Sequence, residues 1–137
     1  MRYIFHLSIP VRDLDEALGF YVDALAAKPG RRHDDWLDVL VWGHQVTLQL
    51  RPEEVLPRAA QGKRHYGVVL PWDEWKSEVE RIRASGIRFA AEPQVLMPGT
   101  AEEQAKFYLR DPSDNVIEVK AYRNVAETLG LDGSGYD

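Results

Sequence analysis

The chain has 137 residues, enough for one domain or two small half-modules sharing a core. Apolar residues make up 45% of it, so a core can be buried. A formal charge of −5 argues against a nucleic-acid partner, which would call for a basic face. The absence of cysteine excludes disulfides and thiolate nucleophiles and fits a reducing compartment.

Met1-Arg2-Tyr3-Ile4-Phe5-His6 lacks the apolar run of a signal peptide, and no segment approaches a membrane-spanning length. A cytoplasmic protein without a membrane partner is therefore expected. Residues 3–10 alternate as a strand, with Tyr3, Phe5, Leu7 and Ile9 on one face and Ile4, His6 and Ser8 on the other. Asp13, with Glu16 three residues on, opens a helix whose apolar stripe runs through Leu14, Ala17, Leu18, Tyr21, Val22 and Leu25. Pro29-Gly30 is its expected end. Arg31-Arg32-His33, the densest basic cluster, is followed at once by Asp34 and Asp35 and reads as a solvated loop. Residues 36–42 and 45–51 read as strands joined at Gly43-His44, and a Pro- and charge-rich connector fills 52–64.

The same order then recurs. Residues 65–70 form a strand, and Trp72, Trp75, Val79 and Ile82 make a helical stripe stopped by Ser85-Gly86. Residues 87–90 read as a short strand, 94–104 as a long loop, and 106–110 and 116–122 as the last strands. Asp111-Pro112-Ser113-Asp114-Asn115 is the turn between these two. The chain is thus expected to be a single domain over 1–137. Its first module spans 3–51, its second 65–122, and 123–137 is a flexible tail.

If each module is a curved sheet with its helix on the convex side, the apolar row of every strand faces the helix. The other row lines a concave surface. That leaves His6 and Ser8 there on the first strand, His65 and Gly67 on the fifth segment, and Glu118, Lys120 and Tyr122 on the last. Thr47 and Gln49 are left on 45–51, and Tyr108 and Arg110 on 106–110. Trp36, Asp38, Leu40 and Trp42 share a face that would also suit a pocket wall. Taken singly, a strand histidine is more often a hydrogen-bonded structural residue than a ligand. Glu118 is more telling, because a carboxylate between Ile117 and Val119 has to be paired or exposed. Together, two imidazoles and one carboxylate suit a divalent metal: Fe(II) first, and also Mn, Ni, Co or Zn. His33 and His44 fall in expected loops.

The stretches FHLSIPVRDLDEALGFY with His6, RHYGVVL with His65 and FYLRDPSDNVIEV with Glu118 resemble the vicinal oxygen chelate superfamily. That superfamily includes glyoxalase I, bleomycin- and fosfomycin-resistance proteins and extradiol dioxygenases. The resemblance implies an α+β fold of paired βαβββ modules, whose mostly antiparallel sheets form a cup with helices on the convex side. It implies His6, His65 and Glu118 as metal ligands, a small-molecule substrate chelated through vicinal oxygens, and a homodimer. Gln49 matches the place where glyoxalase I-like members carry a fourth, carboxylate ligand, and an amide cannot serve there as a base. Tyr108, ten residues before Glu118, matches a tyrosine of the dioxygenases. Dioxygenase-like chemistry is therefore favoured slightly over a glyoxalase I-like lyase, with a metal-free, bleomycin-resistance-type binding protein as the alternative. The further acid/base histidine of typical dioxygenases is missing from the loop at Met97–Glu102.

Overall fold

The computed structural model describes residues 3–131. Its elements are β1 (His6–Val11), α1 (Leu14–Leu25), β2 (Lys28–Arg32), β3 (Trp36–Val41) and β4 (His44–Leu50), then two short 3-10 turns. They are followed by β5 (Tyr66–Val69), α2 (Trp72–Ser85), β6 (Ala91–Leu96), β7 (Gln104–Arg110), β8 (Val116–Tyr122) and α3 (Val125–Leu129). The chain divides into two compact units: residues up to Arg64 with Arg110–Asn115, and His65–Leu109 with the residues from Val116.

Each unit holds one four-stranded sheet, in the orders β1-β4-β3-β2 and β5-β8-β7-β6. β1 runs parallel to β4 and β5 parallel to β8, while β2–β3, β3–β4 and β6–β7 are antiparallel. The element order inferred from the sequence pattern is therefore present twice in an α+β architecture.

α1 forms because Asp13 caps it, its carboxylate accepting from the Glu16 amide at 2.7 Å, and because one stripe is apolar. That stripe (Leu14, Ala17, Tyr21, Ala24 and Leu25) is buried together with Leu37, Val39 and Val41 of β3 and Val46 and Leu48 of β4. In the second unit Trp75, Val79 and Ile82 of α2 play this part beside Phe107 of β7 and Ile117, Val119 and Ala121 of β8. The Trp75 indole donates to the Val119 carbonyl at 2.9 Å, so a buried ring keeps its polar edge satisfied.

Several expectations are corrected. α1 stops at Ala26, in the left-handed region at φ 52, and Pro29-Gly30 lies inside β2. An edge strand admits a proline, which is why β2 was not legible. Tyr3 and Phe5 continue the alternation of β1 but are 87% and 64% exposed, although the Phe5 backbone still reaches β4, its carbonyl accepting from the Gln45 amide and its amide donating to His44 Nδ1, each at 2.9 Å. The β3–β4 turn is Trp42-Gly43, both at positive φ, which removes Trp42 from the strand face. The strand expected at 87–90 lies instead at Ala91–Leu96, partly within the expected loop. It is another edge strand containing a proline, Pro93, and its register shifts between Ala91 and Gln94. The expected tail carries α3 up to Leu129, and its Asp132-Gly133-Ser134-Gly135 stretch lies outside the described residues. No helix among the described residues is long and apolar enough to cross a membrane.

Candidate functional site

In the second unit the chemistry collects around Glu118. Alternation on β8 sends Ile117, Val119 and Ala121 toward the core and Glu118 and Lys120 the other way. Gly67 of β5 is the backbone partner of Glu118, and a Cβ at Gly67 would overlap the Glu118 carbonyl oxygen. Only glycine lets β5 lie this close to β8. That close approach brings in His65, the residue just before β5. Its Nε2 stands 2.8 Å from Glu118 Oε2.

Lys120 Nζ stands 3.6 Å from Oε1 of this carboxylate, and Tyr108 of β7 lies close enough for Glu118 to act on its hydroxyl. The His65 and Tyr108 rings meet edge to face at 5.8 Å. Glu118 is 6% exposed, and such a carboxylate needs this company. Burial, then the charge of Glu118 and the bond to it, push the Tyr108 hydroxyl above its usual pKa, against the weaker pull of Lys120. Burial acts to lower the Lys120 ammonium, but a hydrogen bond with Tyr122 and the charge of Glu118 outweigh it and hold Lys120 protonated. Lys120 is thus an ion-pair partner of Glu118. Within its unit, it neutralises Glu118.

The first unit repeats the register with different side chains. His6 opens β1, pairs with Gln45 and is exposed. Two residues on, Ser8 pairs with Thr47, just as Gly67, two residues after His65, pairs with Glu118. Thr47, rather than the Gln49 picked out by the sequence pattern, therefore occupies the slot equivalent to Glu118. Gln49 pairs with Pro10, one pleat further along, and its amide donates to Ser8 Oγ at 3.2 Å. Neither residue supplies a carboxylate, so the first unit offers His6 as its ligand-type side chain on this row.

Sequence reasoning put the most heavily bonded group of that face on a possible pocket wall without singling it out. Asp38 of β3 is 5% exposed and pairs in register with Thr47. Thr47 Oγ1 donates to Oδ1 at 2.7 Å. Arg31 Nε and Nη2, at 3.0 and 2.9 Å, and Gln45 Nε2, at 3.2 Å, donate to Oδ2. Burial alone would raise this carboxyl, but the bonds from Thr47 and Arg31 and the charge of Arg31 outweigh it and hold it below the usual range. The cluster Arg31-Arg32-His33, expected as a loop, is thus in part a strand, and Arg32 pairs with Asp15 at 2.7 Å. The signal was available, because Asp38 interrupts the apolar run of residues 36–42 as Glu118 interrupts 116–122.

The motif FYLRDPSDNVIEV divides between two tasks. Tyr108 and Glu118 belong to the cluster just described, while its turn belongs to the first unit. Asp111 accepts from the Tyr21 hydroxyl at 2.9 Å, the Ser113 and Asn115 amides at 2.8 and 2.9 Å and Asn115 Nδ2 at 2.8 Å. Ser113 Oγ in turn accepts from the Arg12 amide at 3.0 Å. This turn is a staple that fixes structure. The Asp111 carboxyl lies above its usual range, as burial outweighs those hydrogen bonds.

His65, Glu118 and Tyr108 are thus brought together in one unit, while His6 and Gln49 sit on the sheet of the other. Among the described residues of one chain, no group of three or more His, Cys, Asp or Glu side chains is gathered to hold a metal.

The glyoxalase/bleomycin resistance protein/dioxygenase superfamily model matches residues 3–119. A crystal structure of a glyoxalase/bleomycin resistance protein/dioxygenase from Alicyclobacillus acidocaldarius shares 31% identity over 93% of this chain and 96% of that one, with a TM-score of 0.83. The fosfomycin resistance protein FosX from Listeria monocytogenes matches at 17% identity over 88% and 93%, with a TM-score of 0.68. A domain of the same superfamily from Frankia sp. EAN1pec matches at 20% over 90% and 99%, with a TM-score of 0.64. The last two speak to the fold alone.

Proposed function

The chain belongs to the glyoxalase/bleomycin resistance protein/dioxygenase superfamily, and on that premise we propose that it is a metal-dependent enzyme whose ligands are His6, His65 and Glu118. The observation that carries this reading is the 2.8 Å approach of His65 Nε2 to Glu118 Oε2. Two donors each about 2.1 Å from one ion at a right angle stand about 3 Å apart, so the pair already has the spacing of two cis ligands. A neutral imidazole and a carboxylate are also the donor types that suit Fe(II), Mn, Ni, Co or Zn. A homodimer in which His6 comes from a second copy reconciles the triad with the absence of a three-ligand group among the described residues of one chain.

A divalent metal at this place supplies a Lewis acid that stabilises negative charge on a substrate oxygen. The remaining work falls to the chain itself. Glu118 is ion-paired with Lys120 and held in orientation by His65. Tyr108 carries a firmly held proton on its hydroxyl, suited to donating a hydrogen bond to a phenolate- or enolate-like oxygen beside Glu118. With Thr47 in the equivalent slot of the first module, the ligand set stops at three, which favours dioxygenase-like chemistry over a glyoxalase I-like lyase. One observation favours a second reading: His65 and Lys120 pair with the two oxygens of Glu118 without any metal. A metal-free, cytoplasmic binding protein for a small molecule would need no more.

Metal content of protein purified without a nickel column separates the two readings. Near-stoichiometric metal that falls at least tenfold in His6→Ala and Glu118→Ala is expected, and metal-free protein with tight ligand binding would overturn the enzyme. Mixing the two variants with subunit exchange should restore about a quarter of the sites if the triad is shared between copies, because about half of the dimers are then mixed and each holds one intact site. If it is not shared, mixing restores none. Oxygen uptake with a catechol panel, set against turnover of a glutathione hemithioacetal, then decides between dioxygenase and lyase.

A further inference from the structure

Asp38 is a desolvated carboxylate facing an exposed partner, Arg31, and that ion pair by itself contributes little to stability. Desolvating a carboxylate costs several kcal/mol, whereas an ion pair with an exposed partner returns about 0–1 kcal/mol. Here the Asp38 side chain is 7% exposed and that of Arg31 70%. What the carboxylate does instead is hold one guanidinium in a fixed place. Both Nε and Nη2 are bound to Oδ2, so the fork cannot swing. Gly30 completes the seat, since a Cβ there would stand 3.1 Å from both the Asp38 Cβ and its carbonyl oxygen.

Asp38 itself has no spare capacity, with four donors already on its two oxygens. Arg31 does have some, because its Nη1 donates to nothing among the described residues. The guanidinium carbon lies 5.1 Å from the centre of the Trp36 ring, which is half-buried and stacks with His33 at 4.3 Å. Gln45 ties this seat to the proposed ligand row: its amide donates to Asp38, and its backbone is the register partner of His6. Residues paired directly across a sheet project to the same face, so Asp38, Thr47, Ser8, Gln45 and His6 share one surface. The Asp38 and His6 strands are two inter-strand spacings apart, about 10 Å.

We propose that Arg31, seated by Asp38 and flanked by Trp36, is the substrate-anchoring residue of this protein. It binds the carboxylate of a small, ring-bearing organic acid whose other end reaches the row of His6. The proposal deepens the metal-enzyme reading and rests on it for the word substrate, but the anion seat itself needs no metal.

The test therefore uses metal-stripped protein. Benzoate is titrated and followed through the Nε–H resonance of Arg31 and the indole N–H of Trp36, with methyl benzoate as the neutral control. Saturable shifts with benzoate, at least tenfold weaker binding of the ester, and at least tenfold weaker benzoate binding by Arg31→Met are expected. Arg31→Lys, which keeps the charge but cannot be held by two donors, should lose several-fold. Equal binding of acid and ester, no saturable shift, or wild-type affinity in Arg31→Met would overturn the proposal. Should the protein prove metal-free and still bind benzoate through Arg31, the enzyme reading falls and the anion seat stands. The reverse result removes only the seat.

Discussion

The two sheets share strand order and register and differ in what they place at matching positions. Two residues after its histidine, the second module has Gly67 opposite Glu118, while the first has Ser8 opposite Thr47. Glycine lets β5 lie hard against β8 and carries His65 onto the carboxylate; serine allows an ordinary spacing, and its hydroxyl is taken up by Gln49. The first module also holds a buried carboxylate, but on β3, where Asp38 turns it toward a guanidinium. A repeated backbone thus presents equivalent slots, and one substitution per slot is enough to make one face a cluster of ligand-type groups and the other a row of hydrogen-bonding groups. The register is common because it follows from backbone pairing, which side chains on the open face barely disturb.

Breaking the tighter of the two contacts should have the largest effect. Gly67→Ala has to push β5 off β8, and a loss of about 3 kcal/mol in urea denaturation is expected, together with loss of the His65–Glu118 contact. A stability change under about 1 kcal/mol would show that β5 yields easily. Asp38→Asn should cost about 1 kcal/mol at neutral pH, the net worth of the hydrogen bonds to the charged form. Its pH dependence has a definite sign. The folded carboxyl lies below the usual range, so its contribution is present above the unfolded value of about 3.9 and is lost as pH falls through the folded value. The gap between wild type and Asp38→Asn should be flat from pH 5 to 8 and narrow below about pH 4. A gap that widened on acidification would contradict the assigned network. Ser8→Ala, at the first-module counterpart of Gly67, loses one exposed hydrogen bond and should cost at most about 0.5 kcal/mol. A larger loss, measured by the same denaturation, would mean that the two slots are equally tight.

Much of this molecule was legible before any coordinates. Alternation and the capping pattern at Asp13–Glu16 gave the helices, the inner strands and the repeat, because those features follow from local burial of one face. Glu118 was legible for the same reason: a carboxylate in an apolar strand has to be accounted for. The edge strands β2 and β6 were not, since Pro29 and Pro93 read as breakers unless a sheet edge is known to be there. Nor was the seat of Arg31, because its meaning lies in a partner seven residues away across a bulged strand pair. The choice of Thr47 over Gln49 as the counterpart of Glu118 likewise belonged to the fold. Sequence spacing fixes which face a residue takes, whereas which residues stand opposite one another depends on strand register, and only the assembled sheet sets that.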